Sequence, residues 1–140
     1  MDASLNRFRH AHEEAYETAL QEIGAGRKES HWMWYIFPQI QGLGRSPTAM
    51  YYEIQSRAEA VEYWKDPVLR GHMLEICGEL LKLEDSIDRI MGFPDNLKLR
   101  SCMTLFWLVT GEPVFKEILD KFYLGEPDEF TRKKLAEEAL

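Results

Sequence analysis

Apolar residues recur along most of this chain at the spacing of an α-helix. From Leu5 to Ile23, the positions Leu5, Phe8, His12, Ala15, Tyr16, Ala19, Leu20 and Ile23 form one stripe, with Glu13, Glu14, Glu17 and Gln21 outside it. That pattern predicts an amphipathic helix. Gly24 and Gly26 follow the last periodic residue, where a helix end favours glycine. The aromatic run from Lys28 to Phe37 must stop helical hydrogen bonding near Pro38, because proline lacks an N–H and restricts the residue before it. A short buried helix is expected there. After a Gly42-Leu43-Gly44 loop, Ser46-Pro47 pairs a cap residue with proline at a first helical position and opens another short helix.

Ser56-Arg57-Ala58-Glu59 fits a capping box, in which a hydroxyl and a carboxylate three residues on satisfy each other's backbone donors, so a helix over about 57–65 follows. Asp66-Pro67 repeats the cap-plus-proline signal ahead of the stripe Leu69, His72, Met73, Ile76, Leu80 and Leu83. After a turn around Gly92-Phe93-Pro94-Asp95, the run from Leu97 to Thr110 places Leu99, Cys102, Met103, Phe106 and Val109 on one face. Its other faces are also largely apolar beyond Ser101, as in a helix surrounded by others. Asp95 or Asn96 is expected to cap it. Glu112 to Tyr123, closed by Gly125, and a charged segment from Asp128 to Leu140 complete the pattern. The expected fold is all-α: one compact domain over residues 1–140, with six to eight helices around one central apolar helix and a frayed C-terminus.

Composition adds boundaries to this picture. In a chain of 140 residues, 45% hydrophobic content and 12% aromatics suffice for one sizeable core. Seventeen Lys and Arg against 24 Asp and Glu give a net charge of −7, which argues against a general nucleic-acid binder or a polybasic membrane adhesin. Any anion site must therefore be local. The stretch from Ser30 to Gly44 lacks Asp, Glu, Lys and Arg but is too short to span a bilayer and is broken by Pro38, Gln39 and Gly42, so no membrane association is expected. No secretion signal is visible at Met1-Asp2-Ala3-Ser4, and the cytoplasm is the expected compartment. Cys77 and Cys102 match no metal-ligand spacing and read as reduced core thiols.

Two segments could carry chemistry. In the first, Arg27 and Lys28 supply charge for a phosphate or carboxylate, Ser30 could cap a helix whose N–H groups face the same place, and Trp32 and Trp34 offer flat stacking surfaces. His31 adds an imidazole that can exchange a proton. The plainer alternative is that the aromatic residues are core and the cations are solvated. In the second segment, Lys98 and Ser101 lie one turn apart near the start of the central helix, as do Arg100 and Thr104. There the plainer alternative is an exposed first turn with Ser101 and Thr104 bonded back to helix carbonyls. His12 and His72 each sit mid-stripe and read as core histidines. With no HxxxH or HxxE spacing, neither a metal nor a cofactor is expected. Ser101, His31 and Asp95 lack the GxSxG elbow of a hydrolase triad, and Gly42-Leu43-Gly44 lacks the closing glycine of a nucleotide-binding fingerprint.

Gly26-Arg27-Lys28-x-Ser30-His31-Trp32-Met33-Trp34-Tyr35-Ile36-Phe37-Pro38-Gln39, followed by Gly42-Leu43-Gly44 and Ser46, resembles the signature of the bacterial domain-of-unknown-function family numbered 1810, some of whose members carry the label calpastatin. Gly92-x-Pro94-Asp95-x-Leu97-Lys98-Leu99-Arg100-Ser101-x-Met103-Thr104-Leu105-Phe106 resembles its second signature. The resemblance covers roughly residues 7 to 135 and implies an all-helical domain with no established activity, cofactor or partner. The chain departs from the family pattern at His12, Glu53 and Met91, where glutamine, glycine and phenylalanine are expected. The calpastatin label finds no support, since such inhibitor repeats are disordered and polar.

Both signatures mix polar and aromatic residues, so they are expected to meet and line one cleft for a small anionic, nucleotide-like ligand. Arg27, Lys28 and Lys98 would surround the anion, Trp32 or Trp34 would stack, Gln39 and Ser101 would set orientation, and His31 would be the acid/base group. The alternative is a regulatory module without catalysis that docks a protein partner through the aromatic segment.

Overall fold

The computed structural model describes residues 4–138. Among them nine helices follow one another: α1 (Asn6–Gly24), α2 (Met33–Ile36), α3 (Pro47–Tyr51), α4 (Arg57–Lys65), α5 (Pro67–Leu81), α6 (Ile87–Met91), α7 (Asp95–Thr110), α8 (Pro113–Tyr123) and α9 (Glu129–Glu138). The fold is all-α, and the sole extended pairing among the described residues is an isolated parallel bridge between Ile40 and Ile54. The helix beyond the expected eight is α6, five residues long and opened by Ser86, whose hydroxyl accepts from Arg89 N–H at 3.3 Å. One turn is too short to show a period.

The caps at Ser46, Ser56 and Asp66 form as their residue types dictate. Each side chain accepts from backbone N–H groups one turn ahead: Ala49 for Ser46, Glu59 for Ser56, and Val68 with Leu69 for Asp66. The capping box is only half made. Glu59 turns its carboxylate to Gln55 N–H (2.9 Å) and to the Arg7 guanidinium (2.8 Å) instead of back to Ser56. Arg7 is buried on α1, and it also donates to the carbonyls of Ser4, Tyr51 and Glu53. A guanidinium with its donors paired this fully is a tolerable buried charge; stripped of Glu59 it would cost about 3 to 5 kcal/mol. At α7 neither Asp95 nor Asn96 is the cap. Pro94 precedes the helix without a side-chain bond, and both residues lie within its first turn.

α7 is the central element, in contact with α4, α6, α8 and α9. Leu99, Cys102, Met103, Leu105 and Phe106 are buried completely, in one hydrophobic cluster that also takes Phe8 from α1, Tyr63 from α4, Ile76 from α5 and Phe115 from α8. Burial on all sides ends at Phe106: Trp107, Leu108 and Val109 pack against the core but are half-exposed, and the helix stops at Gly111. Cys77 and Cys102 are free and buried, and burial pushes both thiols up. α9 is held by buried Thr131 and Leu135; of the C-terminus expected to fray, residues 139 and 140 lie outside the described residues. No helix among the described residues is long and apolar enough to cross a membrane.

Candidate functional site

The chain leaving α1 is folded back by a single carboxylate. Glu22 Oε1 accepts from the N–H groups of Glu29 (2.7 Å) and Ser30 (2.9 Å) and from the Trp32 indole (2.9 Å), while Oε2 accepts from the Ser30 hydroxyl. Burial alone would raise the pKa of Glu22, but these donors outweigh it and bring it down to about 2. The same loop is fastened to the second segment at its next residues. Lys28 N–H donates to Ile90 C=O at 2.7 Å, and its ammonium reaches Ser30 C=O (2.6 Å) and Asp95 (2.8 Å) while lying 5.0 Å from the centre of the Trp32 ring.

Two adjoining cavities result, with Lys28 in the wall of both. The smaller, of about 250 Å³, is lined by Lys28, Ser30, His31, Trp34, Pro94, Asp95 and Lys98 among others. His31 and Trp34 lie nearly parallel there, 6.4 Å apart at 16°, and the Lys98 ammonium stands 5.7 Å from the Trp34 ring centre. The larger, of about 630 Å³, runs between Gly26, Arg27 and Lys28 on one side and Asp85, Asp88, Arg89, Met91 and Gly92 on the other. Gly26 and Gly92 have φ of +89° and +78°, a backbone that favours glycine, and leave bare main chain along its floor.

The structure thus brings together Lys28, His31, Trp34 and Lys98 in one cleft and puts Arg27 on the cavity beside it. The cations do not surround an empty centre, since Asp95 lies between Lys28 and Lys98, 2.8 and 3.5 Å from their ammonium groups. Trp32 offers no stacking surface. It is 1% exposed, and its indole N–H is spent on Glu22. Ser30 caps no helix, because its N–H and hydroxyl also go to Glu22 and α2 starts three residues later. Ser101 is buried and bonds back to Leu97 C=O at 3.2 Å, the fate anticipated as the plainer one. Gln39 lines neither cavity; its carbonyl accepts from Ile54 N–H at 2.7 Å beside the Ile40–Ile54 bridge. Within the aromatic segment Trp32, Met33, Ile36 and Phe37 are buried in the core, while Trp34 and Tyr35 are half-buried.

A family model described as a protein of unknown function, DUF1810, matches residues 2–135. The chain belongs to this family. It is also similar to the crystal structure of the conserved hypothetical protein Rv1873 from Mycobacterium tuberculosis, with 42% identity, a TM-score of 0.92, and coverage of 94% of this chain and 96% of that one. Among curated proteins no match is found.

Three groups of polar side chains that organise the structure of this family member are not marked by any motif in the sequence. For Glu22, its place one turn before a glycine loop is the one feature that could have suggested the role. Glu53 Oε2 collects the N–H groups of Gly42, Leu43 and Gly44 at 2.8 to 3.0 Å, so this glycine loop already holds a carboxylate of its own and has no room for a ligand phosphate. A side chain at Gly42 would strike the Phe130 ring. Third, His12 and His72 are partners rather than isolated core residues. Their Nδ1 atoms are 2.9 Å apart, the rings meeting edge to edge, and His12 Nε2 lies 2.8 Å from Tyr35 C=O. A carbonyl only accepts, so His12 carries its proton on Nε2 and His72 donates through Nδ1. Burial lowers the His12 pKa to about 4, against the pull of the Tyr35 carbonyl. Tyr16 stacks on His72 at 3.6 Å and donates to Glu75, completing the cluster between α1 and α5.

Proposed function

We propose that the chain binds a small anionic molecule carrying a planar ring, nucleotide-like in chemistry, in the cleft between residues 28–34 and 94–98. The carrying observation is the placement of Lys98 beside the His31–Trp34 shelf. Lys28 is fixed by Asp95 and Ser30 and acts as a structural cation, whereas Lys98 is half-exposed and held by Asp95 only at 3.5 Å. A ligand anion can draw the Lys98 ammonium from that loose pairing at little cost, since an ion pair open to solvent contributes about 1 kcal/mol or less. A flat ring would then lie on Trp34, taking the position over which the ammonium now stands. His31 is the group in the cleft able to exchange a proton with the ligand.

The test is a thermal-shift screen of nucleotides followed by calorimetric titration, because a ligand that binds the native state alone raises the melting temperature. Lys98→Met keeps the stem and should weaken binding by about 1.5 to 3 kcal/mol, the scale of a charged hydrogen bond, without unfolding the chain. His31→Gln should bind within a few-fold of the parent and abolish any turnover. Parent-like affinity in Lys98→Met would place the ligand elsewhere.

A further inference from the structure

The larger cavity beside the cleft bears on what the ligand is. We infer that it is an extended one, a nucleoside diphosphate bearing a second sugar, with its ring on Trp34, its diphosphate between Lys98 and Arg27, and the distal sugar over Gly26 and Gly92. The inference rests on the reading of the cleft just given.

Size is the first argument. A cavity of 250 Å³ suits a ring and little more, whereas the adjoining 630 Å³ has no occupant in a mononucleotide. Lys28 lines both spaces, so a ligand long enough to cross that shared wall can occupy the two together.

Charge is the second. The Arg27 side chain has no hydrogen-bond or ion-pair partner among the described residues, and Arg27 immediately precedes the shared wall, where a diphosphate would pass. The rest of the charged lining is mixed in sign. Asp85 and Asp88 face the cavity with Arg89, whose guanidinium is 80% exposed and only loosely paired, 4.0 Å from Asp85. Asp88 spends one oxygen on the Asn96 amide at 2.6 Å, and no donor among the described residues takes the other. Two carboxylates repel a terminal phosphate but accept hydrogen bonds from hydroxyl groups. A neutral sugar fits that end; the tail of a nucleoside di- or triphosphate does not.

Finally, the floor is open. At Gly92 an added Cβ would meet nothing within 4 Å, and at Gly26 only the tip of Leu83, at 3.9 Å. Main chain without side chains lets a sugar ring lie close against it.

The experiment is calorimetric titration of the full chain with AMP, ADP and ADP-ribose, and in parallel with UDP and UDP-glucose, so that the choice of base does not decide the outcome. In at least one series the sugar-bearing diphosphate should bind tenfold or more tighter than the plain diphosphate. Asp85→Asn, at a half-exposed surface position, should weaken the sugar-bearing ligand severalfold and strengthen the plain diphosphate. Arg27→Met should weaken both. If plain and sugar-bearing diphosphates bind alike and Asp85→Asn moves neither, the extended ligand is refuted while the anion cleft stands. If none of the five probes binds, both readings fall.

Discussion

Replacing Glu22 with glutamine asks whether one negative charge ties down the loop that carries Lys28 and His31. Burial would raise the Glu22 pKa, but the four donors around it hold it at about 2 against an ordinary value of 4.5. A carboxylate whose folded pKa is depressed contributes stability that is complete above the unfolded value and is lost as the pH falls through the folded one. Fully shielded, a shift of this size corresponds to about 3 kcal/mol. Solvent still reaches part of the side chain, so about 1 to 2 kcal/mol is the expected contribution at neutral pH. Glu22→Gln keeps an oxygen where Glu29, Ser30 and Trp32 donate to Oε1, and the Ser30 hydroxyl can turn to accept from the new amide. The bonds persist, but as neutral ones. Urea unfolding followed by circular dichroism should therefore show the variant less stable by about 1 to 2 kcal/mol at neutral pH, with the gap closing between pH 4.5 and about 2. A gap that is the same at neutral and acid pH would refute the charge argument, and no gap at all would mean that the negative charge adds nothing to the four hydrogen bonds.

Phe106→Ala should destabilise by about 3 to 5 kcal/mol and Trp107→Ala by roughly half that, because the first ring is fully buried and the second half-exposed; equal losses in urea melts would contradict the placement of the α7 end. For His12, held neutral with a pKa of about 4 against 6.5, stability should be complete above pH 6.5 and decline by up to about 3 kcal/mol as the pH falls toward 4, since the unfolded chain binds the extra proton. His12→Gln should flatten that slope, and an unchanged slope would assign it to other groups. Ser101→Ala should change stability by no more than about 0.5 kcal/mol and ligand affinity not at all, because its hydroxyl only bonds back within α7; a tenfold loss in calorimetric affinity would put Ser101 back in the site.

What could be read from the sequence was what local chemistry decides. The apolar stripes of α1, α5 and α7, the serine and aspartate caps ahead of α3, α4 and α5, and the stop at Pro38 all depend on residues within one or two turns of each other. The meeting of the two polar segments was legible only through the polar and aromatic make-up they share. The partners of their charges were not legible, since Asp95 stands 67 residues from Lys28 in the chain and Glu59 stands 52 from Arg7. Trp32 illustrates the limit. A tryptophan beside cations reads equally as stacking surface or core, and Glu22, ten residues away, decides for core by taking its indole proton. The stripes of α1 and α5 turn His12 and His72 inward, but nothing along the chain says that two inward histidines 60 apart share one hydrogen bond.

The most direct measurement of the central claim is a proton–nitrogen correlation NMR titration of the labelled chain with ADP-ribose or UDP-glucose. The account predicts that the Trp34 indole and the amides of Gly26, Lys28, Gly92 and Lys98 shift along one saturable curve, while the Trp32 indole, bonded to Glu22, stays in place. Shifts confined to another face of the molecule, or none at millimolar nucleotide, would contradict it.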